Sequence, residues 1–87
     1  MERRRVRIRN PHGLHLRSAA HIVKLARKSR STVTLCRGRV CADSCSILQT
    51  LSLGAVLNDE LDVIIEGSDE KSVAREIEEL FGDGGGI

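Results

Sequence analysis

Three stretches of this chain that can form strands alternate polar and apolar residues, and this pattern restricts the fold most. Arg3, Arg5, Arg7 and Arg9 fall on one side of a first segment, with Arg4, Val6 and Ile8 on the other. Thr32-Val33-Thr34-Leu35-Cys36 alternates in the same way, as does Glu60 to Glu66 with Leu61, Val63 and Ile65 inward. A short strand is expected at Val40-Cys41-Ala42, after a tight Arg37-Gly38-Arg39-Val40 turn with Gly38 at the first central position of a type II′ hairpin. Strands with one wet face do not build a parallel sheet covered on both sides.

Between the strands the period changes to helical. Leu16, Ala19, Ala20, Val23 and Ala26 form a stripe, flanked by Ile22 and Leu25, which predicts a helix from Leu16 to about Lys28. Ser46-Ile47-Leu48-Gln49 matches a capping box and predicts a short helix from about Ile47 to Ser52, stopped at Gly54. Ser68 is the expected cap of a third helix, with Asp69 and Glu70 in its first turn and Val73, Ala74, Ile77, Leu80 and Phe81 on one face. The order is β-α-β-β-α-β-α. The expected class is α+β, two layers, with all helices on one face of an antiparallel sheet. Residues 1–82 make one domain, and the Gly-rich residues 83–87 are expected to be a flexible tail.

Phe81 is the only aromatic among 87 residues, so the core must be aliphatic and no base-stacking platform for single-stranded nucleic acid is present. No apolar run approaches the ~18 residues that span a bilayer. No apolar segment follows Met1-Glu2-Arg3-Arg4-Arg5, so no signal peptide is read and a cytoplasmic location is expected. The net charge of +2 conceals two opposite halves: residues 1–40 hold twelve Lys/Arg and one acid, whereas residues 41–87 hold eleven acids and two bases. A basic half suits nucleic acid or an acidic partner. We favour internal compensation, with Arg5 and Arg7 pairing with Asp62 and Glu66. A two-residue Gly38-Arg39 loop sets Cys36 opposite Cys41, and reduced thiols are expected in the cytosol.

The segment that carries chemistry is Asn10-Pro11-His12-Gly13-Leu14-His15-Leu16-Arg17. His15 falls where a loop becomes a helix. Unpaired backbone N–H groups of Leu16 and Arg17, the positive dipole end and the Arg17 guanidinium would all meet a phosphate on His15. A neutral imidazole nitrogen is a nucleophile near neutral pH. By spacing alone, a simple exposed helix cap is the competing account of His15. His12 and His21 read as solvated residues. His12-x-x-His15 lacks further ligands at metal-site spacing, so neither a metal nor another cofactor is expected.

Three segments in this order are similar to one known family. Gly13-Leu14-His15-Leu16-Arg17 with Ala19-Ala20, Ser46-Ile47-Leu48 with Leu51-Ser52-Leu53-Gly54-Ala55, and Gly67-Ser68-Asp69-Glu70 resemble the histidine-containing phosphocarrier (HPr) family of the bacterial phosphoenolpyruvate-dependent phosphotransferase system. The resemblance runs from Val6 to Phe81. It implies an open-faced β-sandwich with strand order 1-4-2-3. It also implies a phosphoryl carrier, not a turnover enzyme. The Nδ1 of His15 would accept the group from phospho-Enzyme I and pass it to the A domain of an Enzyme II, with Arg17 as charge partner.

Partner recognition would fall to Leu16, Ala20, Ile47, Leu48 and Leu51, rimmed by Lys24, Arg27 and Arg17, in a monomer with no membrane insertion. The resemblance also admits a serine kinase or phosphorylase acting on Ser46, and hence a regulatory phosphoprotein. A carrier of the nitrogen-regulatory phosphotransfer chain is another member with the same chemistry. For Ser46 the plain helix cap is the favoured account. Three residues depart from the family pattern: Ser18 for a proline, Cys45 for a basic residue and Leu16 for an alanine. The proline at a first helical turn is dispensable, so a small effect is expected from Ser18.

Overall fold

In the computed structural model, which describes residues 1–82 and 86–87, the elements run β1 (Glu2–Arg7), α1 (Leu16–Lys28), β2 (Ser31–Arg37), β3 (Val40–Asp43), α2 (Ile47–Ser52), β4 (Glu60–Gly67) and α3 (Glu70–Phe81). The strands form one antiparallel sheet in the order β1-β4-β2-β3. The inward residues Val33, Leu35, Leu61, Val63 and Ile65 of the two central strands are fully buried. They meet Ile22 and Ala26 of α1 and Val73, Ala74, Ile77 and Phe81 of α3 in one aliphatic core. The result is an open-faced sandwich, with helices on one side and water on the other.

The wet face balances much of the charge asymmetry. In the β1–β4 register Arg5 stands opposite Asp62 and Arg7 opposite Glu60. Arg5 contacts Asp62 at 3.2 Å and Glu60 at 3.5 Å, and Arg7 reaches Glu60 at 3.6 Å. Glu60, not Glu66, is therefore the second partner, because the β1 ladder starts with Glu2 opposite Ile65 and Glu66 lies beyond it. Arg4 turns toward the helix layer and bonds Glu78 of α3 at 2.8 Å, while Arg37 pairs with Asp59 at 3.0 Å. Exposed pairs of this kind contribute little to stability.

Three local expectations are corrected. First, α3 is capped by Asp69 and not Ser68. The Asp69 carboxylate makes no cap bond, because it accepts from the Ser31 hydroxyl and the Arg30 N–H. These two bonds, the Ser31 hydroxyl first, hold the Asp69 carboxyl below the usual carboxylate range. The stability they add is present above the ordinary carboxylate pKa and is lost as pH falls through the lowered value. Second, only half of the α2 capping box forms. Ser46 Oγ accepts from Gln49 N at 3.2 Å, but the Gln49 side chain accepts from Asp43 N instead of returning to Ser46. Third, Cys36 and Cys41 face each other as the register requires, but they are joined as a disulfide and are not reduced.

The Gly38-Arg39 loop explains the third result, since it brings the two Cα atoms to 4.0 Å on the same wet face. Gly38 has φ +60°, the left-handed value that a type II′ turn needs at its first central position. Closing so short a loop in the unfolded chain stabilises the fold by about 2 kcal/mol on the chain-entropy account. Cys45 is the one free cysteine among the described residues. A denatured sample prepared without reductant should therefore titrate one thiol, and three after reduction. Three thiols before reduction would show the bond absent.

The tail was expected to be free from residue 83 onward. Residues 83–85 lie outside the described residues, but Ile87 is only 1% exposed and belongs to the core cluster. Its carbonyl accepts from the backbone N–H groups of Arg9 and Asn10, at 2.9 and 2.8 Å. The end of the chain thus packs beneath the loop that leads to α1.

Candidate functional site around His15

His15 is the N-cap of α1, with extended backbone angles of φ −120° and ψ 179°. The chain reaches it through a tight turn in which Gly13 N–H returns to Asn10 O at 2.9 Å. Leu14 is then pinned to the loop after α2 by a bond from its N–H to Ala55 O, also 2.9 Å. The half-buried imidazole sits above the helix start. Its Nδ1 faces the Arg17 N–H at 3.3 Å. Arg17 therefore delivers its backbone donor to the ring. Its side chain is exposed, as is that of Leu16.

Ser18 takes part in the cap of α1. The side chain is buried, and its hydroxyl lies 3.1 Å from both the N–H and the carbonyl of His15, accepting from the first and donating to the second. A proline ring has no group to do this. The signal was available in the sequence, because Ser18 stands three residues after the cap, where a capping-box partner belongs.

In the sequence Asn10 is part of a loop, yet its side-chain Nδ2 lies 3.3 Å from His15 Nε2. The same amide holds the turn, with Oδ1 accepting from His12 N–H at 2.8 Å. An Asx turn is a habit of asparagine at such positions. Its reach to the imidazole has no sequence signal. His12 is exposed, and its ring meets His15 edge-on with centroids 6.4 Å apart. His21 is exposed further along α1.

Exposed apolar side chains lie on both α1 and α2. Leu16 is 63% exposed and Leu48 of α2 75%. Ile47 and Leu51 are partly buried against the core and carry the patch onto α2, while Ala20 is half-buried on α1. Lys24 is exposed at the rim. Arg27 is not wholly free, since its Nε donates to Cys45 O at 3.0 Å and ties α1 to the approach of α2. Ser46 is half-buried and engaged as a cap.

The fold and site together define a small two-layer domain that presents one half-buried histidine at a helix start, with exposed apolar side chains on α1 and α2. Comparison with known proteins agrees. The family model described as "PTS HPr component phosphorylation site" matches residues 2–83. The phosphocarrier protein HPr of Treponema pallidum is 36% identical over 76 residues, covering 87% of this chain and 86% of that protein. The HPr of Chlamydia muridarum is 35% identical over 79 residues, 91% of this chain and 76% of the other. A crystal structure of HPr-C-His from Thermoanaerobacter tengcongensis superposes with a TM-score of 0.88 at 28% identity, covering 93% of this chain and 91% of that one. The chain belongs to the HPr phosphocarrier family of the phosphotransferase system. Among the described residues no helix is long and apolar enough to cross a membrane.

Proposed function

We propose that His15 accepts a phosphoryl group on Nδ1 from phospho-Enzyme I and passes it to the A domain of an Enzyme II, in the cytoplasm and as a monomer. The observation that carries this reading is the Nδ1 facing the Arg17 N–H at the start of α1. A nitrogen that accepts this bond holds its lone pair and is the nucleophile. Once phosphorus is attached there, the same N–H lies beside phosphoryl oxygens and the positive end of the α1 dipole opposes their charge. The Arg17 guanidinium adds a mobile cation. The apolar patch of Leu16, Leu48, Ile47 and Leu51 supplies the contact on which both partners dock in turn.

Incubation with Enzyme I and labelled phosphoenolpyruvate tests the reading, and the label should be acid-labile and base-stable. An acid-stable label would point to a hydroxyl, with Ser46 first, and to the regulatory alternative. Ser46 needs no such role to account for its place, since its oxygen already caps α2. Arg17→Ala should leave the fold intact, because the side chain is exposed, and should slow transfer roughly tenfold to a hundredfold through the lost charge-assisted contact. Unchanged rates in both directions would show that the backbone donors suffice.

A further inference from the structure

We propose that Asn10 is a positioning residue matched to the phosphorylated form of His15, donating from Nδ2 to Nε2 once Nδ1 carries phosphorus. The inference rests on the reading of His15 as the phosphoryl acceptor.

The orientation of the Asn10 amide is over-determined. Oδ1 takes the His12 N–H at 2.8 Å, and Nδ2 donates to the Gly86 carbonyl at 3.0 Å. Rotating the amide by half a turn would set its NH2 against the His12 N–H and its oxygen against the Gly86 carbonyl, and both bonds would be lost. The backbone is held as well, through Asn10 N–H to Ile87 O and Gly13 N–H to Asn10 O. The group facing His15 Nε2 at 3.3 Å is therefore an N–H.

The other ring nitrogen also faces an N–H, that of Arg17. A neutral imidazole offers one acceptor, and an imidazolium none. In the unmodified protein at least one of the two donors meets a ring N–H instead of a lone pair. Phosphorylation removes the conflict. The Nδ1 lone pair forms the bond to phosphorus, and the bond between phosphorus and the donor breaks with its electron pair staying on the donor. The Nε2 proton leaves to solvent, and the donor atom regains a proton from solvent. Nε2 then has a free lone pair for Asn10, and the Arg17 N–H has a phosphoryl oxygen. The site is organised for the charged product before the group arrives, the arrangement that makes fixed donors effective.

Asn10 thereby opposes protonation of Nε2 in the phosphoprotein. Protonation there turns the ring into a better leaving group and lets water take the phosphoryl. Holding Nε2 as an acceptor keeps the group for a partner. Among the described residues, the charged and titratable groups beside the ring and the Asn10 turn are His12 at the ring edge, Arg17 on α1, Arg9 next to Asn10 in the chain, and the main-chain end at Ile87, whose O accepts from Asn10 N–H. Arg9 and Arg17 are unchanged in all the variants below, and His12 is replaced only in the control series.

The test loads wild-type, Asn10→Ala and Asn10→Asp proteins with phosphoryl, from Enzyme I and phosphoenolpyruvate or from phosphoramidate as a small chemical donor. Loss of label is then followed across the neutral pH range. For Asn10→Ala the midpoint of the hydrolysis profile should move up by roughly half to one pH unit, with loss at neutral pH about three- to tenfold faster. Asn10→Asp keeps an oxygen for His12 but sets a carboxylate against Nε2, so its midpoint should move further up. If Asn10→Ala fails to fold, the comparison of Asn10→Asp with wild type decides. Repeating the series in His12→Ala removes the titration of His12 from the profile. If His15 takes phosphoryl from neither donor, the phosphocarrier reading falls and this inference with it. If His15 is labelled and the profiles coincide, or the Asp variant shifts downward, this inference alone is overturned.

Discussion

His15→Ala should abolish labelling by Enzyme I and phosphoenolpyruvate, while His12→Ala and His21→Ala should be labelled as wild type is. The three imidazoles differ in what surrounds them. His15 alone caps a helix and has its Nδ1 against a backbone donor of that helix. His12 spends its N–H on the Asn10 turn, and its exposed ring meets no helix start. His21 lies within α1, away from the unpaired N–H groups of the first turn. Removing the His15 side chain also removes a cap, which costs about 0.5–2 kcal/mol of stability. That is too little to unfold a domain whose core is untouched, so circular dichroism should be unchanged. Label persisting on folded His15→Ala protein would end the assignment.

The parts of this structure that the sequence makes legible are those set by period and capping. The bounds of α1 and α2 follow from stripes that begin just after a cap and stop at Ser29 and at Gly54, whose φ is +62°. The Cys36–Cys41 register follows from one glycine and a two-residue loop. Alternation, in contrast, says which residues of a strand face inward but not which strand lies beside it. The order β1-β4-β2-β3 is therefore implied by the family resemblance and not by alternation.

The same limit explains the Arg7 partner. A one-strand pattern does not show where a ladder starts, and a start at Glu2 opposite Ile65 selects Glu60. Asp69 is hard to place from sequence because a carboxylate near a helix start has two uses, and here Ser31 of β2 and Arg30 just before it claim it. Ile87 follows three glycines and has no periodic neighbours, so nothing local signals its burial. At the site, His15 and Arg17 carry the motif. Asn10 reaches the ring from five residues away through a turn, and only coordinates show that its amide is held by the end of the chain.

Gly13→Ala should damage both stability and transfer, and Gly38→Ala stability alone. Both glycines have positive φ, +70° and +60°, so an alanine at either position is strained by about 1–2 kcal/mol from the backbone alone. Their surroundings differ. A Cβ on Gly38 meets nothing within 4 Å, whereas a Cβ on Gly13 would lie 2.7 Å from Ala55 O and 3.1 Å from Val56 Cα. Those are backbone atoms of the loop to which Leu14 N–H is bonded, and they have no rotamer by which to give way. The loop must separate, the Leu14 bond to Ala55 stretches, and His15, one residue on, loses its seat over the α1 start. Urea unfolding should show a lower midpoint with unchanged slope for both variants, with the larger drop for Gly13→Ala. Transfer from Enzyme I should fall only for Gly13→Ala. Equal stability losses, with transfer intact in both, would mean that Gly13 serves the backbone angle and not the close approach of the two loops.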